Sequence, residues 1–271
     1  MTRSKRTMEE EWRARLLGTS PALKAGRRLF LRLPSPPRCE LCASPFAGPL
    51  VPVMNLIGHG RFPRNPRYCN ACCADIMRHR GGAEIPLSFL FADVRGSTPM
   101  GERLGPTRLH DLMDRFYEAG VDTLIAHNAL IDRFMGDQVV GYFVPGFAGP
   151  QHARAAVRCG LAILRATGHA DQAPWVPVGV GVHTGQAFVG VVGRGGGDLA
   201  ELTAIGEAVN VAARLASVAA TGEIVVSEEA FAAAEWGGDP ERRMLTLKGV
   251  SAPVAVRIVR LDPASAAVDR A

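Results

Sequence analysis

Two acids in this chain stand where a carboxylate can do chemistry rather than solvate a surface. Asp93 closes the apolar run of Leu87, Phe89, Leu90 and Phe91 and is followed by the small-residue turn Gly96, Ser97 and Thr98. A buried strand that stops on an acid can present it to a pocket, and a glycine there lets backbone amides approach phosphate oxygens. On that stretch alone, Asp93 could equally cap the next helix. Asp137 belongs to Gly136-Asp137, set between two apolar runs, which is a hairpin signal. Two carboxylates brought together repel each other unless cations lie between them, and oxygen ligands of this kind suit Mg²⁺ or Mn²⁺ with phosphate. Asn210 and Arg214 project together at i and i+4 from a stretch of small apolar residues. A surface hydrogen bond is the plain account of that pair, but an arginine in such surroundings needs an anionic partner. The small residues also suit close approach to a partner.

A second chemistry is written in sulfur. Cys39-x2-Cys42 is followed, after twenty-six residues, by Cys69-x2-Cys72, each pair near a Pro- or Gly-rich turn. This spacing reads as a four-thiolate zinc site. Four cysteines also hold an iron–sulfur cluster, and Cys73 competes for the place of a ligand in the second pair. The stretch between the pairs has too little apolar content for a core of its own, so a metal would supply the missing stability. Disulfides are the lesser alternative in a reducing compartment.

The elements that must position these groups follow from periodicity. Leu109, Leu112, Met113, Phe116, Val121, Leu124 and Ile125 recur mostly at helical spacing. That helix leads into two strands, Leu130–Met135 and Gln138–Val144, about the Gly136-Asp137 turn. Strand, helix and hairpin open an α+β, ferredoxin-like βαββαβ fold. Its first two strands are parallel, so Asp93 and Asp137 are predicted neighbours at one edge. Beyond the hairpin we expect a helix over Pro150–Thr167, with Cys159 in the core, and strands Val176–Thr184 and Gln186–Val192 about a turn at Thr184-Gly185. A mobile Gly-rich loop over 193–198 comes next, then a helix within Leu202–Ala219. The last strands, Arg242–Leu247 and Val254–Val259, are linked by Lys248-Gly249.

The chain has 271 residues and a net charge of +5, unevenly spread. Residues 1–82 hold 15 Lys/Arg against 5 Asp/Glu, and residues 83–271 hold 16 against 21. No apolar run reaches eighteen residues and no secretory stretch follows the charged start, so a cytoplasmic location is the default. Met8–Leu17 reads as a helix. A second one is capped by Ser20-Pro21 and runs to about Leu33, with Leu23, Leu29, Phe30 and Leu33 among Lys24, Arg27, Arg28 and Arg32. Its apolar stripe is expected to pack on its own protein, with a membrane surface as the alternative. The basic excess is read as solvating the segment or docking it onto the acidic remainder, with nucleic acid or an anionic membrane as the alternative. The organisation expected is a helical, basic segment over 1–37, a metal-stabilised segment over 38–82, a catalytic domain over 85–262 and a disordered tail over 263–271.

With these pieces in place, residues 86–261 resemble the class III nucleotidyl cyclase catalytic domain, shared by adenylate and guanylate cyclases. FADVRGST and FMGDQVVGYF resemble its two metal-aspartate motifs, TAIGEAVNVAARL its Asn/Arg helix and LTLKGVSAPVAV its phosphate-lysine strand. The resemblance implies that Asp93 and Asp137, with the Val94 carbonyl, hold two Mg²⁺ or Mn²⁺. It further implies that Asn210 orients the ribose, that Arg214 stabilises the transition state and that Lys248 contacts the β- and γ-phosphates. Arg133 and Thr203 would read the purine. Adenylate cyclases of this family usually carry Lys at the position of Arg133, and guanylate cyclases Glu. Arg133 is donor-only while the Thr203 hydroxyl can do either, which fits adenine better than guanine. The reading is therefore an adenylate cyclase that makes cyclic AMP and pyrophosphate from ATP, as a homodimer with shared sites. Guanylate cyclase activity and a non-catalytic nucleotide-binding module are the alternatives.

Overall fold

A computed structural model of the chain describes residues 3–33, 37–63, 65–78, 81–131, 136–170, 173–192 and 201–261. Among them, the first elements in chain order are α1 (Arg3–Leu16), α2 (Pro21–Phe30), α3 (Val51–Leu56), β1 (Arg61–Phe62), β2 (Asn65–Cys69) and α4 (Asn70–Arg78). Then come β3 (Gly81–Val94), α5 (Ser97–Leu104), α6 (Pro106–Ala126), β4 (Leu130–Ile131), β5 (Gln138–Phe143), α7 (Pro145–Ala148) and α8 (His152–Ala166). The last are β6 (Val178–Val192), β7 (Glu201–Ile205), α9 (Glu207–Val218), β8 (Glu223–Ser227), α10 (Glu228–Ala233), β9 (Arg242–Leu245) and β10 (Val254–Arg260). The expected loop over 193–198, the tail over 263–271 and the end of the Leu130–Met135 strand, with Arg133, lie outside the described residues.

The chain divides into two compact units, of Met1–Ile85, Val144–Pro150 and Ala187–Ile205, and of Pro86–Phe143, Gln151–Gln186 and Gly206–Ala271. In the first unit α1 buries Trp12 and Leu16, and the fully buried Tyr68 meets the Phe147 ring edge-on at 5.1 Å. β1 and β2 pair antiparallel ahead of α4. β7, a strand the sequence reading did not single out, is paired antiparallel with the end of β6, Thr203 opposite Gly190. α2 also departs from expectation: it buries none of its residues, and the Ser20 side chain makes no cap hydrogen bond.

The second unit carries the sheet. Its order is β4-β5-β3-β6-β8-β10-β9, and β4-β5-β3-β6 is the strand order of a ferredoxin-like βαββαβ unit, so the α+β class expected from sequence holds. β3 and β4 both run antiparallel to β5, hence parallel to each other. β8, unforeseen in the sequence, is buried along its length and lies parallel to β6.

β6 corrects the expected turn at Thr184-Gly185, for it runs unbroken through it for 15 residues. Val178, Val180 and Val182 keep the strand buried on one face. The glycines between serve the other face. A Cβ on Gly181 would stand 2.2 Å from the Ala216 nitrogen of α9, and one on Gly185 2.9 Å from the Ala208 Cβ. Gly185 is there to admit a helix, not to turn the chain. The alanine face of α9 thereby lies directly on the strand backbone. Val211 and Leu215 enter a buried cluster with Val225, Val256, Ile258 and Leu247.

Candidate active site

β3 and β5 fix the first two groups by register. Asp93 lies opposite Gln138, so Asp137, one residue earlier, falls beside the end of β3. The Val94 N–H donates to the Asp137 carbonyl at 3.0 Å. Gly96 then turns the chain at φ 67°, a left-handed conformation that glycine adopts without strain, and opens α5. The Ser97 hydroxyl donates to the Asp137 carboxylate. The free first-turn amides of α5 therefore start beside both acids. Thr98 is exposed on the same turn.

Asp93 is 8% exposed and its carboxylate is held by Arg95 and by the Gln138 amide. Burial pushes its carboxyl above the ordinary range and the Asp137 charge adds to this, while Gln138 and Arg95 act against it. Arg95 is itself tied down. Its guanidinium donates to the Ser217 carbonyl at 2.8 Å, and its backbone N–H to the Pro177 carbonyl, also at 2.8 Å. Neither Arg95 nor Gln138 was singled out from sequence. Gln138 follows the singled-out Asp137 directly, but its place opposite Asp93 comes from the β3–β5 register, which a turn between β4 and β5 does not set. Buried Asp93, a second carboxylate and the end of β3 make an all-oxygen donor set, which fits a hard divalent cation such as Mg²⁺ or Mn²⁺.

The second group sits on and beside α9. Asn210 and Arg214 are both exposed, and among the described residues neither side chain has a hydrogen-bond or ion-pair partner. Two expectations are corrected here. Arg214 is not enclosed by small apolar residues, because the small face of α9 is taken up by the glycines of β6 and leaves Arg214 on the opposite, open side. For the same reason that face is not available for approach to another chain. Lys248 is exposed and likewise unpartnered among the described residues, next to Leu247 in the cluster that seats α9. The two acids are not joined to Asn210, Arg214 or Lys248 by any hydrogen bond or ion pair among the described residues. Thr203 is half-buried in β7 of the first unit. His152 and His183 are spent on structure, on Ser88 at 2.9 Å and Ser227 at 2.8 Å, each with its protonation held down by burial.

Residues 84–249, more than half of the chain, match the adenylate and guanylate cyclase catalytic domain family. The chain belongs to that family. Its cyclase domain is similar to adenylate cyclase 1 of Rhizobium meliloti (strain 1021), 32% identical over 150 residues, which are 50% of this chain and 22% of that protein. Among solved structures it is similar to the guanylyl cyclase Cya2, with a TM-score of 0.60 and 28% identity over 68% of this chain and 96% of that one. It is also similar to the adenylyl cyclase CyaB from P. aeruginosa, with a TM-score of 0.57 and 29% identity over 67% and 97%. The chain spans between 22% and 32% of the length of the curated relatives it matches.

Outside the cyclase domain's acids, a second cluster stands in the first unit. The sulfurs of Cys39, Cys42, Cys69 and Cys72 all lie within 4.8 Å of one another, three of the four residues buried. The Cys69 N–H points at the Cys39 sulfur at 3.3 Å and the Cys72 N–H at the Cys69 sulfur at 3.4 Å. Hydrogen bonds from its neighbours pull Cys39 below the ordinary thiol range, and the same contacts push Cys42 and Cys72 above it. Cys73 is not in the cluster, and burial pushes its thiol up to about 12. The sequence reading missed His59, whose Nδ1 lies 3.4 Å from the Cys69 sulfur. Among the described residues no helix is long and apolar enough to cross a membrane.

Proposed function

We propose that the chain is an adenylate cyclase, forming 3′,5′-cyclic AMP and pyrophosphate from ATP in a homodimer with shared sites. The observation that carries this reading is the meeting of Asp93 and Asp137 beside the Gly96 turn. Asp93, Asp137 and the Val94 carbonyl are the groups that would hold Mg²⁺ or Mn²⁺. Two such cations, held there, would lower the pKa of the attacking 3′-hydroxyl and steady the leaving oxygens. Asn210 would orient the ribose, and Arg214 would meet the charge that develops on the α-phosphate, as an arginine finger does. Lys248 and the amides after Gly96 would take the outer phosphates. The unpartnered state of Asn210, Arg214 and Lys248 among the described residues supports a ligand role. Adenine is favoured over guanine because Arg133 can only donate and Thr203 can do either. The resemblance to a guanylyl cyclase structure supports GTP as the second reading. Purified protein with Mn²⁺ and either nucleotide, assayed for cyclic product and pyrophosphate, decides between them. Turnover of ATP well above GTP is expected, and preference for GTP would reject the base assignment.

The cysteine cluster is assigned one zinc ion. A Zn–S bond of about 2.3 Å makes the edge of a tetrahedral four-sulfur site about 3.8 Å long. The Cys42 and Cys69 sulfurs are 3.7 Å apart, and no two of the four sulfurs are more than 4.8 Å apart. A multi-iron cluster would hold its cysteine sulfurs farther apart, so the spacing favours a single ion over the iron–sulfur alternative.

A further inference from the structure

α2 has the make-up of an interfacial helix and little of its own protein over it. At 3.6 residues per turn, Leu23, Gly26 and Phe30 form one edge of its apolar arc, and Ala22, Ala25 and Leu29 the other. The first edge is half-buried, with the Phe30 ring edge-on to His59 at 5.0 Å. The second is open, with Leu29 60% exposed. α3 repeats the pattern. Met54 turns inward, while Val53, Ile57 and Leu56 face out, Leu56 at 87%. The Phe30–His59 contact joins the half-buried edge of α2 to the turn that follows α3. Single exposed leucines are ordinary, but a group of them on two neighbouring helices is not.

The charge along this stretch has one sign as far as Glu40, whose carboxylate pairs with Arg67. Residues 12–39 hold seven Lys/Arg and no Asp/Glu. Lys24, Arg28 and Arg32 follow at four-residue spacing next to the Ala25–Leu29 row, and none has a side-chain partner among the described residues. Arg27 and Arg38 are used differently, as anchors. Arg27 donates to the Glu40 carbonyl at 2.7 Å and Arg38 to the Phe30 carbonyl at 2.9 Å, which ties α2 to the Cys39–Cys42 turn.

We infer that the open edge of α2 and the outer side of α3 seat the chain on an anionic lipid bilayer, with Lys24, Arg28 and Arg32 meeting the headgroups. An amphipathic helix with cations beside its apolar face binds such a surface through both terms together. A second copy of this chain is a poorer occupant, because twofold pairing of the patch would bring its rows of cations against each other. Nucleic acid is poorer too. A single strand would draw on exposed aromatic platforms, whereas Phe46 lies under the Arg61 guanidinium at 5.1 Å and Tyr68 is fully buried, and phosphate contacts alone would leave the open leucines unused.

The inference is independent of the cyclase reaction and is tested without it. The full chain is sedimented with vesicles of neutral phosphatidylcholine, or of phosphatidylcholine and phosphatidylserine in equal parts, at about 0.1 M salt, where charges still act over about 10 Å. The anionic vesicles should carry the protein down and the neutral ones should not. Leu29→Ser with Leu56→Ser should weaken binding at least about tenfold, as should Arg28→Ala with Arg32→Ala. Both pairs are exposed and should leave the circular dichroism spectrum and Tm unchanged. No binding to anionic vesicles overturns the inference. So does binding that ignores the leucine pair, since charge alone would serve nucleic acid as well. A leucine variant that lowers the mass in solution without touching vesicle binding would assign the patch to a second copy.

Discussion

Asp93 is the residue on which the catalytic reading turns, and it is held under tension. It is buried, beside a second carboxylate, and relieved only by Arg95 and Gln138. A divalent cation would relieve it further. Asp93→Asn keeps the shape and the Gln138 contact but removes the charge that would hold the cation. We expect a folded protein of unchanged circular dichroism whose cyclic-product formation falls at least about a hundredfold. A variant that keeps more than a few per cent of wild-type turnover would reject the paired-acid site. The neighbourhood of Asp93 and Asp137 was legible in the sequence because the parity of a βαββ unit sends the end of its first strand and its hairpin turn to one edge. Arg95 was not legible. Its importance comes from the Ser217 and Pro177 carbonyls, which lie far along the chain and reach it only through the tertiary fold.

At the scale of elements, glycine was the residue most easily misread. A Thr-Gly pair within an apolar run looks like a turn, yet in β6 Gly181 and Gly185 admit the backbone of α9. Sequence pattern cannot separate these roles, because both need a missing Cβ and only the packed helix distinguishes them. The small residues of α9 were misread for the same reason. The cysteine segment was read more fully. Its spacing pointed to four thiols, and it left open both the metal and which of two adjacent thiols joins the other three. α4 decides the latter, since it starts at Asn70 and carries Cys72, not Cys73, to the other sulfurs. β1, β2 and α4 are short and anchored about these sulfurs, so a metal should account for much of the stability of this segment. Elemental analysis should find about one zinc per chain, and stripping it with a chelator should lower Tm by more than about 5 °C. Iron with visible absorbance would instead mean a cluster, and metal-free protein of unchanged Tm would remove the site.

The scale of the whole molecule is set by what one chain leaves unused. Its acids are engaged with Arg95, Gln138 and Ser97, while Asn210, Arg214 and Lys248 wait on the open side of α9 and beside it, with no partner among the described residues. A chain that carries each half once can complete both by pairing with a second copy around a twofold axis, which gives two equivalent sites. The arrangement has a chemical reason, because a cleft that closes between subunits excludes water from a reaction that must not become hydrolysis. Complementation tests it. Asp93→Ala and Arg214→Ala should each be nearly inactive alone, since loss of a transition-state arginine costs on the order of 10³ or more in rate. In a heterodimer of the two variants, one site receives both defects and the other receives neither. An equal mixture left to exchange subunits at random should therefore recover roughly a quarter of wild-type activity, provided the two sites act independently. Mass spectrometry of the intact mixture shows whether exchange has taken place. Heterodimers that form and yet stay inactive would place both groups in one chain's site, and the shared arrangement would have to be abandoned.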